Sequence, residues 1–507
     1  MKNSGREESG RSVRSLAGCV LRARLRTHRD GDHPLSTLLS HPPLRRLDQL
    51  PGPRPLPIVG NALQLKRPRI HLDFEQWARE FGPSFLVRLG PTPVLVLTDH
   101  EAINAVMKDR PDGFRRPASL ERVVKELGGA QGLFSAEGQD WHHQRRMVMA
   151  AFSPTHVRAY FPALMKVAQR LNGRWQKAAR QGQAIDLQSD LMRFTVDAIS
   201  GLAFGVDMNT LESDEDIIQR HLDKIFPALF KRLNALLPYW RYVKLPSDHD
   251  LDRSLKTVRE AINGFIDQAR ERMRHEPARR EQPANLIEAL IVAADHPDSG
   301  VNDEVVAGNV FTMLLAGEDT TANTLAWSIH LLHRHPAALQ RAQDEVRRVV
   351  GDDLSVFNMD QLGDLPYLDA CIQETMRLKP VAPFRVQQAL RDTVVGDVLV
   401  PKDALVWCIS RHDALDDRHF QNGAAFMPER WLAEGTAKKV STPFGSGPRV
   451  CPGRYLAMVE MKVAMVMLLS QFDIDRVDTP QGGEAQELMS FTMTPVGLTM
   501  RLKSRLS

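Results

Sequence analysis

Only four cysteines occur in the 507 residues, Cys19, Cys371, Cys408 and Cys451, and all stand far apart. Their scarcity excludes a CxxC or Cys/His zinc cluster and a disulfide framework, and it fits a reducing compartment. Long apolar runs are also missing. The longest, 305–316 and 463–469, fall well short of a bilayer span and lie inside the body of the chain. Near the start, the short apolar run 16–21 leads straight into Arg22, Arg24 and Arg26, a poor signal peptide and no membrane anchor. Glu7, Glu8, Asp30 and Asp32 argue against an Arg-rich organellar leader, so a cytoplasmic protein is expected. Nor is there an excess of one charge: 66 basic against 62 acidic residues leave +4, too even for nucleic acid as the main partner.

What is present is an ordinary globular composition, 43% hydrophobic and 25% charged. A chain this long can bury a large core without staples. Cys371 and Cys408 lie among apolar residues and are expected to act as small buried hydrophobes.

Residues 1–50 are polar and basic without sustained periodicity and read as a disordered extension; 51–507 read as a single catalytic domain. The domain opens on Pro51-Gly52-Pro53-Arg54-Pro55-Leu56-Pro57, too stiff for helix or sheet. Runs 85–89 and 94–97 flank Gly90-Pro91-Thr92-Pro93 and predict a β-hairpin. Apolar spacings of three and four predict helices at 157–179, 187–202, 251–274, 285–294, 303–335 and 336–350. A second β signal covers 384–390 and 394–400, then irregular chain to about 450, a last helix at 453–469 and strands in 491–502. The fold class is α+β, mostly helical with small β-sheets, the β-rich part near the N-terminal side. In the long 303–335 segment, Ala316-Gly317-Glu318-Asp319-Thr320-Thr321 predicts a local break or widening. A mid-helix Gly costs about 1 kcal/mol, and a Thr hydroxyl can bond back one turn and bend the helix.

The most informative stretch is Phe444-Gly445-Ser446-Gly447-Pro448-Arg449-Val450-Cys451-Pro452-Gly453. Gly445 and Gly447 permit positive φ and close backbone approach. Cys451 precedes the last helix, where free N–H groups favour a negative sulfur. Arg449 is placed for an anionic group such as a carboxylate. A glycine-rich turn with a buried free cysteine is the plainer reading of Cys and Gly alone. The full run Phe-x-x-Gly-x-Arg-x-Cys-x-Gly, however, resembles the haem-binding signature of the cytochrome P450 family, at Phe444, Gly447, Arg449, Cys451 and Gly453. The resemblance extends from about Pro51 to the C-terminal tail. It implies the P450 fold, with a long central helix over haem b (iron protoporphyrin IX), Cys451 as the axial iron ligand, and Phe444, Gly445, Gly447 and Gly453 shaping its loop.

Other segments fit the same family. Ala316-Gly317-Glu318-Asp319-Thr320 resembles its oxygen-activating motif, which implies Ala316 and Gly317 against the haem, Thr320 as the oxygen-activating threonine and Asp319 as its acid partner on a solvent relay. Chemically, O₂ activation needs two protons in order without flooding by water, and an acid–alcohol pair can deliver them. Glu374-Thr375-Met376-Arg377 shares one helix face and alone would be a weak surface pair. With Pro428-Glu429-Arg430-Trp431 it resembles the family's buried ion network of Glu374, Arg377 and Arg430. Trp141 and Arg145, four apart, lie on one helix face. The resemblance makes them, with Arg449, propionate partners, whereas His142 and His143 read as surface residues. One position departs from the pattern: Gln387 stands where the family often has Arg or His, so either Arg385, two residues earlier, substitutes or Gln387 makes a neutral hydrogen bond.

These features imply a monooxygenase that inserts one atom of O₂ into a lipophilic substrate. No flavin or nicotinamide fingerprint is visible, so electrons are expected from a ferredoxin or flavodoxin with its reductase. Lys438, Lys439 and Arg146 form either a basic docking patch or an ordinary solvated face. A monomer is expected. Apolar walls are expected in 111–138, 211–246, 381–384 and 489–493. The alternatives are a peroxide-driven peroxygenase or isomerase, against which the intact Asp319-Thr320 pair argues, and a haem sensor, for which no output module is evident.

Overall fold

The computed structural model describes residues 43–127, 132–213, 217–233, 235, 237–296, 299, 301–351, 354–433, 435 and 437–505. Cys19 and most of the expected tail lie outside the described residues. Leu44–Ser507 form one compact unit. Within the last residues assigned to the tail, Arg45–Arg46 pair in parallel with Val398 and Leu399, and Arg45 bonds the Asp397 carboxylate.

At the centre runs one helix, Asp303–Arg334. Asn302 caps it, its side chain accepting from Val305 N. Its second half, from Thr321 to Leu332, is buried throughout. Such a helix needs apolar neighbours on every side, and it has them in Leu187–Phe204, Leu286–Ala294, Pro366–Leu378 and the last helix, Arg454–Gln471. The six helices predicted from spacing are all present, as Pro154–Arg180, Leu187–Phe204, Pro246–His275, Leu286–Ala294, Asp303–Arg334 and Pro336–Val350. Among the described residues, no helix is long and apolar enough to cross a membrane.

The predicted break at 316–321 is absent: the helix is continuous. Thr320 Oγ1 does donate to Ala316 O (2.9 Å), but Asn323 and Thr324 likewise donate to Asp319 O and Thr320 O. Successive side chains thus serve the carbonyls without displacing the ladder. Gly317 answers a packing need instead, since a Cβ there would meet Ile199 Cγ1 at 2.7 Å.

The hairpin forms as predicted, Ser84–Leu89 against Thr92–Leu97. Its sheet is not confined to the N-terminal side. Thr92–Leu97 pairs in parallel with Leu405–Ile409, which pairs with Phe384–Ala389 and then Phe114–Arg115. Leu405–Ile409 lies in chain expected to be irregular, its apolar run being too short to separate from a buried loop by pattern alone. The 394–400 signal is two short strands, Thr393–Val395 and Val398–Val400, turning at Gly396 with φ +59°. Cys371 and Cys408 are fully buried, as expected. Burial pushes both thiols up, Cys408 to about 12.

Candidate active site

The cysteine loop is a closed turn at the start of the last helix. Cys451 N donates to Phe444 O at 2.9 Å and Val450 N to Gly447 O at 3.2 Å. Gly445 and Gly447 take φ +81° and +74°. Gly447 is doubly constrained, because a Cβ would stand 2.4 Å from the Met107 carbonyl oxygen, whereas Gly445 faces open space. Gly447→Ala is therefore expected to lose about 1–2 kcal/mol to left-handed strain and about 1–3 kcal/mol more to the clash. Gly445→Ala should lose the first contribution alone; thermal unfolding of the two variants checks the difference. Burial pushes the Cys451 thiol up, while the amides of Gly453 and Arg454 and the Arg145 guanidinium pull it partly back. A metal on the sulfur would deprotonate it outright.

Around this loop the structure gathers arginines from remote parts of the chain. Arg145 Nη2 donates to Val450 O at 2.6 Å. Arg449 lies over the Trp141 ring at 5.0 Å and donates to Leu133 O (3.2 Å) and Ala136 O (2.7 Å), with Glu137 Oε1 2.5 Å away. Arg385 Nη2 donates to Thr442 O at 2.9 Å. Sequence reasoning missed two members, Arg110 and Arg116. Burial, then repulsion from Arg449, lowers Arg110 to about 10, and burial with repulsion from Arg110 and Arg449 lowers Arg116 as well. Burial likewise lowers Arg385 and Arg449. The carboxylate acting on Arg110, Arg116 and Arg449 is that of Glu137. Arg110 Nε and Nη2, Arg385 Nη1 and Gln387 Oε1 are buried without a hydrogen-bond partner. Arg385 and Gln387 thus both keep spare polar capacity. His142 is exposed and His143 half-buried, as surface residues should be.

On the central helix, Ala316 is exposed and Thr320, one turn on, is half-buried, although their neighbours Glu318 and Asp319 are buried. Asp319 is closed in rather than joined to solvent. Asn323 Nδ2 donates to its Oδ1 at 2.5 Å and the Thr492 hydroxyl bonds its Oδ2. Burial pushes the Asp319 carboxyl up, and these two hydrogen bonds reverse only part of it. Asn323 was legible as the next turn of the helix, whereas Thr492, from the tail, was not.

Glu374, Arg377 and Arg430 come together as the resemblance implies. Arg377 Nε and Nη2 donate to Glu374 Oε2 and Oε1 (2.8 and 2.7 Å), and Arg430 Nε donates to Oε1 (3.0 Å). Trp431 Nε1 and Met427 N complete the carboxylate's partners. Of the expected walls, 111–138 includes the helix Ala118–Glu126 and 211–246 the helix Ile217–Leu233; residues 128–131, 214–216, 234 and 236 are outside the described residues.

The family model for cytochrome P450 matches residues 50–501. The chain belongs to the cytochrome P450 family. A putative cytochrome P450, cyp-13B1, of Caenorhabditis elegans is 28% identical, covering 90% of this chain and 94% of its own length. The cytokinin hydroxylase of Arabidopsis thaliana is 26% identical over 83% of this chain and 85% of its own. The self-sufficient cytochrome P450 monooxygenase CYP505E5 of Aspergillus kawachii is 26% identical over 91% of this chain, which spans 44% of that relative's length. The crystal structure of the cytochrome P450DA heme domain superposes with TM-score 0.77 and 24% identity, covering 92% of this chain and 99% of that one, and speaks for the fold.

This P450 is thus a haem oxidoreductase, and its residues fit the cofactor. Arg110, Arg116, Arg385 and Arg449 against Glu137 leave excess positive charge with unmade hydrogen bonds. Buried charge of that kind calls for a counter-ion, and the two propionates of haem match it in sign. Cys451, ringed by amide donors, is suited to a metal.

Proposed function

We propose that this P450 is a monooxygenase that inserts one oxygen atom of O₂ into a lipophilic substrate, with haem b on the Cys451 thiolate and electrons from a separate ferredoxin or flavodoxin and its reductase. The observation that carries the reading is the cysteine loop set among buried, under-paired arginines. Haem would supply O₂ activation, with thiolate donation favouring O–O cleavage. Trp141, Arg145, Arg449 and Arg385, joined by Arg110 and Arg116, would hold its propionates; the small, exposed Ala316 would let it lie close to the central helix, while Gly317 serves the packing against Ile199.

The chain's own part is to meter protons and exclude water. Burial lets Asp319 keep a proton to higher pH than an ordinary carboxyl, and in that form it can pass one on, while the Asn323 amide and the Thr492 hydroxyl hold its two oxygens in place. Thr320 is the next residue along the helix, half-buried where Asp319 is buried, with its hydroxyl donating to Ala316 O. Thr320→Ala is expected to cut product formation by about 10²-fold or more, while O₂ consumption continues and ends as peroxide; product and peroxide assays in parallel check it. Asp319→Asn should lower turnover and flatten its pH profile. In the wild type, turnover should fall as pH rises through the raised Asp319 value, because the donor is then lost.

Phe134 and Phe491, with ring centroids 6.0 Å apart, bring two of the expected walls together and support an apolar substrate. Lys438, Lys439 and Arg146 are exposed and support docking of an acidic redox partner. A cytoplasmic monomer with its catalytic domain at 51–507 completes the proposal. Product formation with O₂, ferredoxin and reductase, compared with H₂O₂ alone, tests it. Product with peroxide alone would favour the peroxygenase reading.

A further inference from the structure

Away from the cysteine, a second group of metal-ligand side chains converges where the helix His100–Lys108 begins. Its members come from three segments: His100 at the helix start, Asp413 in the short helix Arg411–Ala414, and His419 in the loop beyond. One ligand atom from each lies within 4.8 Å of the others. His100 Nδ1 is 2.9 Å from Asp413 Oδ2 and His419 Nε2 is 3.4 Å from the same oxygen. The two imidazoles meet edge to face with centroids 4.7 Å apart.

Several observations point beyond a packed polar cluster. Asp413 Oδ2 already accepts the His100 backbone N–H at 2.9 Å, so the carboxylate is fixed before any ion arrives. A third imidazole, His412, stands with Nδ1 3.8 Å from Asp413 Oδ1, and that buried nitrogen has no hydrogen-bond partner. Arg418 is the competing cation, with Nη2 also 3.8 Å from Oδ1. It is 70% exposed and engages Asp416 at 2.7 Å. The His100 and His419 side chains are 18% and 25% exposed, giving an ion a way in.

We propose that His100, Asp413 and His419 form a site for a borderline divalent transition ion such as Zn²⁺, separate from the haem iron. Two imidazoles and a carboxylate match that ion's preference for nitrogen and oxygen donors, and water can complete its shell. The Asp413 oxygen stands 2.9 and 3.4 Å from the two imidazole nitrogens, spacings that suit metal–ligand bonds of about 2.0–2.2 Å after side-chain rotation. Binding would cross-link the start of a helix whose other end supports the cysteine loop. Asn104 accepts from Ser446 Oγ at 2.8 Å, and the Met107 carbonyl lies against Gly447.

The test is equilibrium dialysis of the holoenzyme against micromolar Zn²⁺, with zinc and iron counted separately, on the wild type, His100→Gln, His419→Gln and His249→Gln. One zinc per chain is expected in the wild type and in His249→Gln, an exposed histidine elsewhere. Affinity should fall at least tenfold in the other two, and zinc should raise the unfolding midpoint of the wild type and of His249→Gln but not of His100→Gln or His419→Gln. No zinc bound by the wild type, or equal binding in His100→Gln or His419→Gln, would overturn the site. A correct thiolate-type CO spectrum in each variant shows that it folds and keeps its haem, so these outcomes stand apart from those that test the monooxygenase reading.

Discussion

Glu374→Gln is expected to give a protein that unfolds several degrees earlier and retains little haem. Both Glu374 and Arg377 side chains have zero exposure. The glutamate receives Arg377, Arg430, Trp431 and the Met427 amide, while Arg377 also donates to Ala414 O, Gly423 O and Ala425 O. Neutralising the glutamate keeps its shape but strands a buried guanidinium, a loss of about 3–5 kcal/mol against a total stability of about 5–15 kcal/mol. Arg430→Ala should cost less, because its side chain is 12% exposed and the carboxylate keeps Arg377. Although burial alone would raise the Glu374 carboxyl, Arg377 holds it below the ordinary range. The network's contribution is therefore present above the unfolded carboxylate value and is lost as pH falls through the depressed one. Acid unfolding of wild type and Glu374→Gln should accordingly converge at low pH. Unfolding curves and haem content per chain measure both effects.

Cys451→Ser is expected to abolish the thiolate-type CO spectrum and all detectable product. The hydroxyl is close in size and can still accept from the Gly453 and Arg454 amides, so the loop should persist and fold stability change by about 1 kcal/mol or less. Activity and stability thus separate in this variant, whereas in Glu374→Gln they fall together. A Cys451→Ser protein that kept the thiolate-type spectrum would show that another residue ligates the iron.

What was legible in the sequence was legible locally. Helix bounds followed from spacings of three and four, and the cysteine loop from residues within one turn of each other. Glu374 and Arg377 share a helix face, and only their burial needed the tertiary structure. What escaped was long-range. Arg110 and Arg116 carry no periodic signal, and their meeting with Arg385 depends on the sheet that pairs Phe114–Arg115 with Phe384–Ala389. Thr492 reaches Asp319 across 173 positions. The strand Leu405–Ile409 was hidden because a short run buried on both faces shows no alternation. The expected helix break failed for a different reason: Gly317 was weighed for its flexibility, when the space it leaves for Ile199 decides its presence.

The gathered arginines also tie the stability of the fold to the cofactor. A dianion among Arg110, Arg116, Arg385 and Arg449 would bind the folded chain and not the unfolded one, so the unfolding midpoint should rise with haem content.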